Sequence, residues 1–138
     1  MIKESDKNKL YIITLTIDVF IIYTLLRYKL SLNDIIWCIT VLISHILFIY
    51  ALKTTYTNLV NFLHILIFIL PLFTIFTQNI LIKIITCLLL FVIQILWIKE
   101  QRCILNEEDY VFGYGNILNY YTLILTIIIA IQIGYKLK

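Results

Sequence analysis

Five long apolar runs constrain this chain more than any other feature. They cover residues 10 to 26, 35 to 52, 59 to 77, 80 to 98 and 117 to 135. About 20 apolar residues cross the hydrocarbon of a bilayer as a helix, and roughly 17 suffice. Backbone polar groups in lipid must be satisfied inside a helix or a closed barrel, and these continuous runs lack the period-two alternation of barrel strands. The chain is therefore expected to be an all-α polytopic transmembrane helical bundle of about five spans. Composition agrees, with 62% of the 138 residues hydrophobic and 14% charged, against about a quarter charged in soluble domains.

The connections are short: RYKLSLND, KTTYTN, the dipeptide QN, and a longer segment from Lys99 to Asn116. Such links predict antiparallel neighbours in up-down topology, so residues 1 to 138 are read as one transmembrane domain. The first run, after MIKESDKNK, has the look of a secretory signal, but Asp18 inside it and the lack of a small-x-small cleavage site point to a retained helix. Basic residues divide six against five between the two sides, so the positive-inside rule sets no orientation. Tyr11, Tyr28, Trp37, Tyr50, Tyr56, Trp97, Tyr120, Tyr121 and Tyr135 punctuate the run ends, where amphipathic rings anchor in the headgroup layer.

Several function classes are disfavoured. A net charge of +3 without a dense basic patch argues against nucleic acid as a partner. Cys38, Cys87 and Cys103 are odd in number and form no C-x-x-C pair, so neither a disulfide framework nor a zinc site is expected, and no metal or cofactor is called for. H-E-x-x-H, G-x-S-x-G and phosphate-cradling glycine loops are missing, which points away from an enzyme. The acids Glu107, Glu108 and Asp109 read as a solvated loop.

Polar groups inside the spans are the place to look for function, because each costs free energy unless partnered. The first span carries Tyr11, Thr14 and Asp18 at helical spacing, the third Asn61, His64, Phe68 and Pro71, and the fourth Lys83, Cys87, Gln94 and Trp97. Counted from the run ends at about 1.5 Å per residue, Asp18 lies roughly 12 Å deep, His45 10 Å, His64 8 Å and Gln94 6 Å, all from one face. Lys83 sits alone in the opposite half, near enough to its helix end to snorkel outward. Asp18, His45, His64 and Gln94 thus form a candidate intramembrane polar cluster. It serves as interhelical glue, as a proton or cation relay, or, through His45 and His64, as axial ligands of a haem in a redox anchor. Pro71 predicts a kink. No G-x-x-x-G motif sets a close helix contact, so broad Ile and Leu faces are expected to meet lipid, a second copy or other membrane proteins.

One stretch, EEDYVFGYGN, spells the GYG of potassium filters at Gly113, Tyr114 and Gly115. A filter needs a preceding pore helix and successive carbonyls from four copies. Here the lead-in KEQRCILNEED is highly charged, and Val111 stands where a filter has Thr. The stretch is expected to be an interfacial loop, with Tyr110, Phe112 and Tyr114 in the headgroups and Gly113 and Gly115 allowing positive φ.

From Asn61 to Asp109, NFLHILIFIL followed by ILWIKEQRCILNEED resembles small multi-pass membrane proteins of bacteria and large DNA viruses with no assigned activity. They carry an early intramembrane His and a Trp followed by Cys-x-Leu near an acid. The matching positions are His64, Trp97, Cys103, Leu105 and Glu107 or Glu108, while Ile104 and Asn106 depart from the pattern. The resemblance implies no chemistry and favours a viral membrane protein; the wealth of Ile, Asn, Lys and Tyr fits an AT-rich genome of an organelle, virus or microbe. The leading expectation is a non-enzymatic integral membrane protein acting as a structural or assembly subunit of a larger complex, and the alternative is a small proton or cation conductor using Asp18, His45 and His64.

Overall fold

Apolar runs of this length can satisfy their backbone only internally, and they do so as helices. The computed structural model describes residues 4–54, 56–100 and 111–137, with side chains from Asp6 onward except Thr57, Glu100 and 111–119. The helices are α1 (Glu4–Arg27), α2 (Leu32–Thr54), α3 (Thr57–Phe73), α4 (Ile80–Glu100) and α5 (Val111–Lys136), with a 3-10 turn (Thr74–Phe76) after α3. Four are long and apolar enough to cross a membrane: Asp6–Arg27, Leu32–Thr54, Asn58–Phe76 and Ile80–Lys99. The side-chain-described part of α5, Tyr120–Lys136, is a shorter apolar helix.

Polar side chains set the helix ends. Before α2, Ser31 and Asp34 form a reciprocal cap: Ser31 N and Oγ donate to Asp34 Oδ2 at 3.0 and 2.7 Å, and Asp34 N donates to Ser31 Oγ at 3.3 Å. This satisfies amide donors that a helix start leaves orphaned. Before α4, Asn79 Oδ1 accepts from Leu81 N and Ile82 N at 2.8 and 3.4 Å, the role of an N-cap amide.

Around the bundle the order is α1, α2, α3, α5, α4 and back to α1. The two-residue QN link does not make α3 and α4 close neighbours along their length, as the short connection implied. Their backbones meet chiefly at the 3-10 turn, while α5 packs on α4 and a cavity fills the space between. Three apolar clusters hold the seams. Ile21, Trp37, Cys38, Val41 and Ile82 join α1, α2 and α4. Phe48, Ala51, Leu52, Val60 and Leu63 join α2 and α3. Leu90, Leu125 and Ile129 join α4 and α5. Outward, Ile12, Val19, Leu26, Ile46, Ile65 and Ile98 are each more than half exposed, the surface a helix presents to acyl chains. Hydroxyls on that surface donate to their own helix, Thr16 to Ile12 O at 2.7 Å and Thr40 to Ile36 O at 2.8 Å, so they add no unpaired donor to lipid.

Several expectations are corrected. Tyr28, Tyr50, Tyr56, Tyr120 and Tyr135 are exposed as anchors should be, but three of the rings turn inward. Trp37 is buried and its indole Nε1 donates to Leu70 O at 3.1 Å; Tyr121 OH donates to Phe68 O at 2.7 Å; Trp97 stacks on Phe68 with centroids 6.0 Å apart. Both carbonyls belong to the last turns of α3 around Pro71, whose missing amide leaves Ile67 O without its helical partner. Trp37→Phe keeps an aromatic side chain but removes the donor and part of the buried ring volume, so we expect a loss of about 2 kcal/mol, read as a lower unfolding midpoint in detergent.

Lys83 does not snorkel outward. It is 2% exposed, and Nζ donates to Thr74 O at 3.0 Å, Ile75 O at 3.3 Å and Gln132 Oε1 at 2.5 Å. The amine takes carbonyls of the 3-10 turn instead of water, sharing Thr74 O with Thr77 N and Thr77 Oγ1. The GYG stretch is not a loop either: α5 begins at Val111, so Gly113, Tyr114 and Gly115 lie in its first turns. A helical backbone commits its carbonyls along the axis, which removes the extended strand that a potassium filter requires. Cys103, Leu105, Glu107 and Glu108 lie outside the described residues.

Candidate functional site

The site is assembled from two helices that each bury one face. On α1, Asp18 shares its face with Thr14 and Ile21, both buried, at offsets of four and three. On α2, His45 shares its face with Val41 and Phe48, also buried. These faces meet, and Asp18 Oδ1 lies 2.5 Å from His45 Nδ1, with each side chain 14% exposed. A carboxylate can only accept, so Nδ1 carries the hydrogen of this contact.

The helices run past the apolar runs at both ends, which moves the pair deeper than the run boundaries implied. At about 1.5 Å per residue, Asp18 is roughly 18 Å from Asp6, and His45 is roughly 14 Å from Thr54 at the same membrane face. For a hydrocarbon layer of about 30 Å, that is close to the midplane.

A cavity of about 120 Å³ runs between α1, α2, α3 and α4. His45 lines it from α2 and His64 from α3, with Thr14, Ser44 and Thr86 as its hydroxyls and an otherwise largely apolar wall. The His64 ring rests against Phe68, with centroids 5.4 Å apart, and Phe68 carries the stack to Trp97 across the cavity. Gln94 belongs elsewhere: Nε2 donates to Thr122 Oγ1 at 3.5 Å, at the α4–α5 seam. Of the four residues expected to cluster, two are bonded, a third shares their cavity and the fourth faces away.

Haem does not fit this arrangement. Ligand pockets for drug-sized molecules are about 300 Å³ or more, well above this volume. Among the described residues, no group of three or more His, Cys, Asp or Glu side chains is placed to hold a metal ion.

A second polar centre lies near the other membrane face and went unnoticed in the sequence. Asp34, 2% exposed, uses Oδ2 for Ser31 and Oδ1 for Gln78 N at 2.7 Å and Asn79 N at 3.1 Å. One carboxylate thereby caps α2 and ties it to the start of α4. Lys136 Nζ on α5 donates to Gln78 O, and Lys83 completes the network. The Ser31-x-x-Asp34 spacing before an apolar run was the available signal. All these groups are engaged with backbone, which makes this centre a clamp.

No family model, no curated protein and no solved structure matches the chain.

Proposed function

We propose that the protein is a small multi-pass transport protein that moves protons or another small cation, with Asp18, His45 and His64 as its working groups. The observation that carries this reading is His45, bonded to Asp18, on the wall of a cavity near the membrane midplane. Ionisable groups at that depth cost about 2.5–3.5 kcal/mol on insertion scales and mark ion pathways when they line cavities. A hydrophobic pair of the same size would join α1 to α2 without that cost.

The competing reading is a non-enzymatic structural or assembly subunit of a larger membrane complex, with the same pair as interhelical glue. It is favoured by the complete pairing of buried side-chain polar atoms among the described residues. Flux separates the two. In proteoliposomes loaded with a pH-sensitive dye, wild-type protein should dissipate an imposed pH gradient, and Asp18→Asn should slow this by at least about tenfold, since the amide keeps the shape but cannot titrate. Wild-type vesicles no leakier to protons, sodium or potassium than protein-free ones would overturn the transport reading in favour of the subunit.

A further inference from the structure

We propose that the Asp18–His45 pair exchanges protons with one membrane face only, the face at the N-terminal end of α1, and that a dry apolar layer closes the other side. The choice of the proton as cargo rests on the transport reading; the one-sided access rests on the cavity itself.

The lining residues fall into an order along the membrane normal. At about 1.5 Å per residue from the α1 N-terminal face, Leu10 and Trp97 lie within roughly 6 Å, His64 near 9 Å, Thr14 near 12 Å and Ser44 near 15 Å. Polar groups therefore step inward from that face to the pair. The cluster that fills the α2–α3 seam at this level does not cross the route, because Phe48 and Leu63 stand in the cavity wall.

Beyond the pair the character changes. The cavity ends against Trp37, Val41 and Ile85. Trp37 and Val41 belong to the tight layer with Ile21, Cys38 and Ile82, backed by Leu25, Leu30 and Leu70. Hydroxyls in that half are engaged within the protein, Thr24 with Phe20 O at 2.7 Å and Thr86 with Ile82 O at 3.0 Å and Thr74 Oγ1 at 3.2 Å. Behind the layer, Asp34 and Lys83 are bound to backbone. Apolar constrictions of this kind exclude water and interrupt conduction.

The chemistry of the near half suits a proton. A hard metal cation needs about six oxygen ligands to replace its hydration shell, and the near wall offers two hydroxyls, Thr14 and Ser44, with the one carboxylate behind His45 and held by it. A proton needs only a hydrogen-bonded chain. A site of about 10–15 Å³ holds a water, so the cavity volume admits several between His64, Thr14, Ser44 and the pair. Of the titratable groups, His45 from α2 and His64 from α3 line this path, and Asp18 from α1 joins it through its bond to His45 Nδ1; the lining residues of α4 bring none.

The test uses the full chain in proteoliposomes sorted to one orientation, with the Asp18 carboxyl followed by infrared difference spectroscopy and assigned with Asp18→Asn. A pH jump in the compartment facing the N-terminal end of α1 should change the carboxyl band, and the same jump opposite should leave it unchanged until the gradient decays. Val41→Ser, which wets the closing layer, should make the band respond to both compartments. A response from the opposite compartment alone, from both, or from neither in otherwise wild-type protein overturns the one-sided access. Sodium or potassium flux equal to proton flux overturns the cargo, and no flux of any ion with one-sided infrared access overturns the transport reading while sparing the access geometry.

Discussion

Asp34→Ala should destabilise the protein by about 3 kcal/mol, lowering the thermal midpoint in detergent by roughly 10 °C. The carboxylate accepts from Ser31 N, Ser31 Oγ, Gln78 N and Asn79 N. Hydrogen bonds to a charged acceptor contribute about 1.5–3 kcal/mol each, though their sum is not additive. Alanine leaves the donors of two helix starts facing a buried site that water reaches poorly, and the desolvation cost of those groups is not recovered. Asp34→Asn retains Oδ1 as an acceptor and should lose about half as much. The melt is best followed by circular dichroism near 222 nm, where helix dominates. A drop under about 1 kcal/mol for the alanine variant would mean that the clamp is not what fixes α2 to α4.

That clamp shows which parts of the fold are legible in a sequence and which are not. Span number, helical class and antiparallel course follow from hydropathy, because lipid leaves a backbone no other option. Direction around the helix axis does not follow from it. Trp37 and Trp97 stand at run ends just as Tyr50 and Tyr120 do, yet they turn inward because Leu70 O and Phe68 offer partners that only the packed bundle creates.

Lys83 was misread for the same reason. Proximity to a helix end lets an amine reach water, but the 3-10 turn after Pro71 puts carbonyl acceptors closer than the interface. Gln94 and His64 were grouped by depth alone; position around the helix then sent one to Thr122 and the other to the cavity. The GYG stretch misled in another way. Two glycines so close together suggest a loop, but the start of α5 at Val111 takes them into a helix, where each costs about 1 kcal/mol relative to alanine.

The Asp18–His45 contact should show the largest coupling in the molecule. His45→Ala leaves a carboxylate near the midplane with its partner gone, and Asp18→Leu leaves an imidazole in the same position; each should cost about 3 kcal/mol. The double variant Asp18→Leu with His45→Leu removes both polar groups and refills the volume, so it should lie within about 1 kcal/mol of wild type. Interhelical hydrogen bonds in membranes measured against a partnered reference average only about 0.6 kcal/mol, so a cycle at that level would mean that each group finds another partner when its mate is lost. His64 is the residue to watch in that event, because it lines the same cavity. The same variants sharpen the functional question. A double-leucine protein that is as stable as wild type yet carries no protons would show that the pair is kept for transport and not for holding α1 to α2.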